Sequence, residues 1–380
     1  MTTAVKRVLI VGAGIGGLGA SAALGQRGIQ VDVIDIKAEN AVLGVGLNQP
    51  ANALRALRAL GVFDEIAADG FAFDRRLHRD SQGNLRVEVP SLLGGDVPAN
   101  IALRRSSLHR ILTGAADRAG AKIIMNCSIA DLSSDPDGVD VSFTDGRSDR
   151  YDLVVGFDGL RSRLRRRLFG DSFEPKFTGY SVWRLSCPRL ATIDCINLYE
   201  GENGKAGLCP LDDEQMYLLH VTQEPGNPRY DPANFPQMLI DRMQGFGAEP
   251  GIVRDAITET TPIVYSPLEE VLVPTPWHRG RVAIAGDAAH ASTPHLTQGA
   301  AMALEDAVVL AETLNRPVPV EDALTQWSAR RMPRAQFVYE RSRTRLLNEM
   351  VNDKQSNSAS LAQINTDRMA EIDRFLNQPA

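Results

Sequence analysis

Three places in the chain set glycine and a carboxylate directly after a short apolar run. The first is Gly12, Gly14 and Gly17, at G-x-G-x-x-G spacing after Val8-Leu9-Ile10-Val11, with Asp35 closing the next apolar run. Gly156-Phe157-Asp158-Gly159 and Gly286-Asp287 are the second and third. In the first, Gly12 permits a tight turn, Gly14 lets backbone amides approach a pyrophosphate, and Gly17 lets the following helix pack closely. The N-terminus of that helix adds oriented N–H groups and partial positive charge. Asp35 stands at the spacing expected of a ribose-hydroxyl partner. An acid there favours FAD or NAD over NADP, an inference that Lys37 weakens. Each place alone is compatible with ordinary turn chemistry. Together they describe one extended ligand with several hydroxyls and a pyrophosphate, which FAD matches better than NAD. No second G-x-G-x-x-G follows a strand, which argues against a nicotinamide held in a domain of its own.

Other residues carry chemistry with less context. His295 lies in a loop between an apolar run and an alanine-rich helix, and is either a substrate contact or a solvent-facing loop residue. With an ordinary pKa near ~6.5, such an imidazole can take a phenolic or ring N–H proton near neutral pH. Arg184, on a strand-like run, either binds an anionic substrate or pairs with a carboxylate. Tyr217 and His220, both candidate substrate contacts, have an odd spacing that puts them on opposite faces of one strand. At most one of them faces a pocket. His290 reads as structural. Arg161, Arg163, Arg165, Arg166 and Arg167 form a locally basic stretch, read as a solvated helix face rather than a nucleic-acid site.

The elements that position these residues alternate at first. Apolar runs 8–11 and 31–34 bracket a small-residue helix, giving a βαβ unit. Residues 52–60 are apolar at helical spacing and stopped by Gly61. Residues 71–89 read as two strands around Ser81-Gln82-Gly83-Asn84, and 92–99 as loop. A helix opens near Arg105, with Ser106 or Ser107 as candidate N-cap. Strands follow at 122–125, 139–143 and 152–157. From 180 to 273 the texture changes to strand-like runs (180–185, 193–199, 215–222) with one helix, 236–244, which reads as a mostly antiparallel domain inserted into the first. Strand 281–285 and helix 298–314 then restore the α/β pattern. The tail, 320–375, reads as helices broken near Pro333.

Composition bounds the class. At 380 residues, with 43% hydrophobic and 23% charged residues, the chain can bury a large core, and its length suggests two or three domains. A net charge of −6 gives no footprint for nucleic acid. Cys127, Cys187, Cys195 and Cys209 show no C-x-x-C spacing, so a reducing compartment and buried thiols are expected, with no metal site. No uninterrupted apolar run of about 18 residues appears, and the N-terminal glycines argue against a signal peptide. A soluble, cytoplasmic protein without membrane or nucleic-acid partners is expected.

Taken in order over residues 7–310, several motifs coincide with those of one family. They are the glycine fingerprint with Asp35, Gly44-x-Gly46, Arg105-x-x-Leu108, and Asp152-Leu153-Val154-Val155-Gly156-Phe157-Asp158-Gly159 with Ser162 and Arg165. Gly286-Asp287-Ala288-Ala289-His290 and Pro294-His295-Leu296-Thr297-Gln298-Gly299-Ala300 complete the set. On these the chain resembles the single-component (class A) flavin-dependent aromatic monooxygenases, the para-hydroxybenzoate and salicylate hydroxylase group. It departs from them at Phe157, where the family usually has alanine, and at Thr297, where it usually has glycine.

The resemblance implies an α/β fold. A Rossmann-like FAD-binding domain of the glutathione-reductase type would span residues 1–75, 101–178 and 276–330. An inserted, mostly antiparallel substrate domain would take 76–100 and 179–275, and a C-terminal helical segment 331–380. It implies FAD as cofactor, with Asp35 at the adenosine ribose and Ile36 and Lys37 counted beside it. Arg105 would lie on the phosphate or ribitol side, Ile129 near the adenine, and Asp287 at the ribitol or pyrophosphate, with Gly46, Leu47 and Gly286 also counted as cofactor-binding. Asp158 is associated with FAD and transient nicotinamide binding, and Pro294, Gln298, Gly299 and Ala300 with the flavin pyrimidine end. His295, Asn48 and Arg184 are the candidate catalytic residues. Asn48 matches a position that carries a catalytic histidine in related hydroxypyridine-acid hydroxylases, although asparagine can orient a substrate but not act as a base. The implied reaction is hydroxylation of an electron-rich phenol, hydroxypyridine or quinolone through a flavin C4a-hydroperoxide, with NADH or NADPH as transient reductant and O₂ as co-substrate, in a monomer or homodimer. The rivals are an FAD-dependent dehydrogenase or reductase, a halogenase, whose W-x-W-x-I-P motif residues 183–188 do not match, and a non-enzymatic nucleotide-binding module.

Overall fold

The computed structural model describes residues 5–39, 45–350 and 358–380, so Gly44 lies outside the described residues. Arg7–Val11 lies within a six-stranded sheet ordered His278–Arg279, Val282–Ile284, Leu153–Gly156, Arg7–Val11, Gln30–Ile34, Lys122–Ile124. All neighbours are parallel except the first pair, an antiparallel edge. Leu9, Ile10, Leu153 and Val155 are fully buried, as continuous apolar runs require in a sheet covered on both faces. Parallel pairing brings the C-terminal ends of Arg7–Val11, Leu153–Gly156 and Val282–Ile284 side by side. The three glycine–carboxylate places follow those ends directly.

Two glycines make the first turn possible. Gly12 has φ +109, and a Cβ there would lie 2.4 Å from the Phe157 carbonyl oxygen. A Cβ on Gly17 would lie 1.9 Å from Gly12 O, so helix Ile15–Gly25 can rest on the strand only through glycine.

A second sheet has seven strands, ordered Val264–Glu270, Lys176–Pro188, Gln215–Gln223, Gly204–Pro210, Ile196–Gly201, Arg75–Asp80, Leu85–Pro90. Its neighbours are antiparallel except Ile196–Gly201 with Arg75–Asp80. Trp183, Leu185, Tyr199, Leu208 and Leu218 point to one face and pack with Leu239, Phe246 and Val253 of the covering 235–255 segment. Alternation sends Val182, Arg184, Tyr217, Leu219 and Val221 to the other face.

Several local expectations are corrected. Helix Arg105–Arg118 is preceded by Arg104 as N-cap, with no side-chain cap, so neither Ser106 nor Ser107 fills that position. Strand Asn100–Arg104 pairs with Gly46–Pro50 up to Arg104 itself, which holds the backbone extended until the helix begins. The tail does not break at Pro333, because helix Val320–Met350 runs through it. The missing hydrogen bond costs roughly 3 kcal/mol, and the adjacent Arg331 and Arg334 anchor both sides of the proline through buried ion pairs. Strands Gly204–Pro210 and Val264–Glu270 and helix Ala248–Asp255 were not expected. The first reads as loop because of its glycines, and Pro267 in the second is tolerated because that strand is the sheet edge. Cys127, Cys195 and Cys209 are buried thiols, whereas Cys187 is half-buried.

Candidate active site

The strand ends of the first sheet and the open face of the second enclose a cavity of about 530 Å³. On the strand-end side it is lined by Gly14, Arg105, Gly286 and Asp287, together with Phe157 and Gly159. Nothing lies within 4 Å of where a Cβ on Gly14 would sit, so the backbone there meets the cavity bare. No side chain caps helix Ile15–Gly25, which leaves its N-terminal amides to an incoming anion. Arg105 extends into the same space and makes no ion pair among the described residues.

Asp35 accepts hydrogen bonds from Ala13 N and Lys37 N, both at 2.9 Å, and ties the glycine loop to the end of strand Gln30–Ile34. His109 braces the same loop from Nε2 to Ala13 O at 2.9 Å, a role not read from sequence. Asp35, Ile36, Lys37 and Ile129 do not line the cavity; Cys127 N donates to Asp35 O and Asn126 N to Lys37 O. Phe157, larger than the family's alanine, fills the space left by Gly16, where a Cβ would lie 2.5 Å from its ring. Asp158 serves helix Arg163–Phe169, its Oδ2 accepting from Arg163 N at 2.8 Å and Leu164 N at 3.1 Å. Burial raises its carboxyl pKa, and its Oδ1 is buried without a partner.

Asp287 opens the short helix Asp287–His290 immediately after Gly286, whose φ is +57. It is exposed where it lines the cavity, and desolvation by the surrounding protein raises its pKa. Behind it lies an ionic network. Asp306 Oδ2 accepts from Gly286 N at 2.9 Å and from His290 Nε2 at 2.6 Å, and Oδ1 from Arg331 Nε at 2.7 Å. Arg331 also pairs with Glu305 at 2.8 Å, and Glu305 with Arg334 at 2.9 Å. Although burial opposes ionisation of Asp306, His290 and Arg331 hold its pKa below the usual value. Arg165, inside the basic stretch, is buried and donates to Ala288 O at 3.0 Å. His290 is therefore structural, as read from sequence.

Gln298 is turned away from the cavity. Its side chain exchanges hydrogen bonds with Asn52, which also donates to Glu305 at 3.0 Å. Pro294, His295, Thr297, Gly299 and Ala300 do line the cavity. Asn48 Nδ2 donates to Asn100 Oδ1 at 2.8 Å and to Thr297 Oγ1 at 3.4 Å, while Asn48 Oδ1 is buried with no protein partner. Gly46 and Leu47 complete this side. A Cβ on Gly46 would lie 2.7 Å from the Tyr217 ring, so glycine lets the two walls meet.

Across the cavity stand Arg184 and Tyr217. Arg184 makes no ion pair among the described residues, and burial lowers its pKa. Burial likewise raises Tyr217 well above the usual phenol value, so it stays protonated. His220 is corrected. It lies on the opposite face, edge-on to Phe246 with its Nδ1 at 3.2 Å from Lys205 O, and does not touch the cavity. Among the described residues no cluster of His, Cys, Asp and Glu could hold a metal, and no helix is long and apolar enough to cross a membrane.

The arrangement suits a pyrophosphate-bridged dinucleotide along the strand ends and a ring between His295, Asn48 and Arg184. Comparison with known proteins points the same way. The family described as FAD binding domain matches residues 6–342. The 2-heptyl-3-hydroxy-4(1H)-quinolone synthase of Pseudomonas aeruginosa is 32% identical over 88% of this chain and 87% of its own. The 3-amino-4-hydroxybenzoate 2-monooxygenase of Streptomyces cremeus is 30% identical over 89% and 86%. The crystal structure of Klebsiella pneumoniae HpxO with FAD and uric acid superposes with a TM-score of 0.83 at 25% identity, covering 98% of this chain and 95% of that one.

Proposed function

We propose, because this chain belongs to the FAD-binding-domain family, that its two sheets divide the work of ring hydroxylation. The protein is a flavin-dependent monooxygenase with FAD as its cofactor, and its substrates are aromatic or heteroaromatic rings. The six-stranded sheet is the Rossmann-type layer, over residues 1–75, 101–178 and 276–330, and the seven-stranded sheet the substrate layer, over 76–100 and 179–275. The observation that carries this reading is the single cavity shared by strand-end glycines and carboxylates on one side and by Arg184 and Tyr217 on the other.

The residues present fit FAD. Bare backbone at Gly14, uncapped helix amides and Arg105 suit its pyrophosphate, and Asp35 and Asp287 suit its hydroxyls. When bound, FAD supplies the reduced ring that activates O₂ and delivers an oxygen atom to the substrate, with NADH or NADPH as transient reductant. The chain's own residues orient and polarise the ring. Arg184 pairs with an oxygen of the substrate as it becomes anionic. The buried Oδ1 of Asn48 accepts from a substrate N–H or O–H, and an imidazole nitrogen of His295 takes the proton whose loss enriches the ring in electrons. Asn48 can only orient, since an amide is no base. The enzyme works in the cytoplasm as a monomer or homodimer.

His295→Ala tests this assignment. With a turnover substrate found by screening phenols, pyridinols and quinolones, the variant should retain FAD and slow hydroxylation on the order of 10²-fold. More of the consumed NAD(P)H should then appear as hydrogen peroxide. Wild-type turnover and coupling would return His295 to the solvent-facing loop reading, and turnover without O₂ uptake would favour a dehydrogenase.

A further inference from the structure

The sheet face that lines the cavity is wider than one ring. Strand register sets Val264, Arg184, Leu219, Gly207 and Leu198 abreast across five strands. From Arg184 to Leu198 is three strand steps, roughly 14 Å at ~4.8 Å per step. Every residue of that row lines the cavity, and Arg184 is the last charged one before an apolar stretch. A row on one side adds Tyr217 and Cys209, and a row on the other adds Val182 and Val221 and then Lys205, so the shelf has one charged edge beside Gly207.

Gly207 shapes the middle of this stretch. A Cβ there would lie 3.0 Å from Leu219 Cγ and 3.2 Å from Leu198 Cδ2. Glycine lets the two leucines lean together over the strand between them and make one continuous apolar shelf. Leu219 sits on an inner strand yet is only half-buried, because the cavity lies over it. Apolar area left uncovered inside an enclosed cavity is where burying ligand carbon gains most. The shelf is also bounded by cations, since Lys205 on the Val221 side, Arg76 beside Ile196 on the next strand, and Arg345 all line the cavity.

We propose that the substrate carries, beside its reacting ring, a straight apolar substituent that lies along this shelf from Arg184 towards Leu198. The proposal rests on the ring-hydroxylase reading above. A simple hydroxylated ring would leave the shelf bare.

The test uses the full-length, FAD-loaded protein and hydroxyquinolines bearing methyl, butyl, hexyl or dodecyl chains, with a polyether chain of hexyl length as control. Binding is read from the change in flavin absorbance, and oxygen insertion from the product. Each methylene laid on the shelf should tighten binding about fourfold. The gain should stop once the chain reaches the charged rim, and the polyether should gain little. Gly207→Val lifts the two leucines into the cavity and should flatten the series. Should that variant lose its flavin, the wild-type series still decides. A flat wild-type series, or equal binding of polyether and alkyl chains, overturns the shelf, and hydroxylation stands if product forms. A steep series without oxygenated product keeps the shelf and overturns the hydroxylase reading. No response to any compound overturns both.

Discussion

On one wall of the cavity, Gly14, Gly286 and Asp287 follow directly on the ends of parallel strands, while on the other, Arg184, Tyr217 and Leu219 come from the middles of antiparallel ones. The first wall works with backbone amides, missing side chains and a few carboxylates. Those features need neighbouring residues in a fixed order, so they survive as short motifs. The second works with side chains at alternate positions on separate strands. Which of them stand abreast depends on register, and no short stretch of sequence records it. The first wall should therefore be sensitive to what holds its backbone, and the second to which face a side chain takes.

The largest effect is expected at Asp306, which holds the backbone of the first wall through Gly286 N and pairs with His290 and Arg331. Removing one partner of a buried ion network leaves the others uncompensated, at about 3–5 kcal/mol. Asp306→Ala should lose that much stability in a denaturant titration and release FAD as a consequence. A loss under about 1 kcal/mol would show that Arg331 is satisfied by Glu305 alone.

Next comes the face on which a side chain stands, tested at His220. Burial lowers its pKa to about 4, against an ordinary value near ~6.5. Folding disfavours the protonated form, so the unfolded chain binds this proton first. The histidine costs nothing above pH ~6.5, and stability drains away as pH falls towards ~4, by roughly 3 kcal/mol. His220→Gln removes this titration. The stability gap between wild type and variant should therefore narrow as pH drops from neutral to ~4, with substrate affinity unchanged. Altered substrate affinity would mean that His220 reaches the cavity after all.

Asp287 offers the complementary case on the first wall. It opens a short helix, its carboxylate makes no hydrogen bond or ion pair among the described residues, and it faces the cavity. Its value should lie in the ligand. Asp287→Ala should weaken FAD retention by a charge-assisted hydrogen bond, about 1.5–3 kcal/mol, and leave the apoprotein's denaturation midpoint nearly unchanged. Equal losses in both would make it a turn residue like Asp158.

These contrasts follow what could be read from sequence. The glycine fingerprint, Asp35 and Gly286-Asp287 were legible because a tight turn and a bare backbone demand particular residues at particular offsets. The opposite faces of Tyr217 and His220 were legible because strand alternation needs only their spacing. The apolar shelf was not, since Leu219, Gly207 and Leu198 meet only through two strand pairings. The ionic network left one readable trace, the adjacent carboxylates Glu305-Asp306 inside an alanine-rich helix, since such groups are rarely buried unless paired. Its cations, Arg331 and Arg334, lie beside the proline that seemed to end their helix.

The smallest effect is expected at Thr297, where the two walls meet. Its φ of +56 and ψ of 30 are left-handed, a conformation that costs an L-residue roughly 1–2 kcal/mol. β-Branching makes threonine a poor occupant of it. The loop holds this shape because Thr297 Oγ1 donates to Leu296 O at 2.7 Å and accepts from Asn48 Nδ2 at 3.4 Å, so the strained residue also helps to aim Asn48. Glycine would remove the strain but add freedom to the unfolded chain, worth about 0.5–1 kcal/mol, and would free Asn48 on one side. The opposing terms nearly cancel, so Thr297→Gly should change stability by less than about 1 kcal/mol. Thr297→Ala, which keeps the strain and loses the hydroxyl, should be the less stable of the two variants. The functional change should be larger than either stability change, because Asn48 then keeps only Asn100 as anchor and its Oδ1 can swing from the ring: KM for the turnover substrate should rise several-fold in both variants with FAD retention intact. Unchanged KM in both would mean that Asn100 alone aims Asn48, and that the threonine only fills its turn.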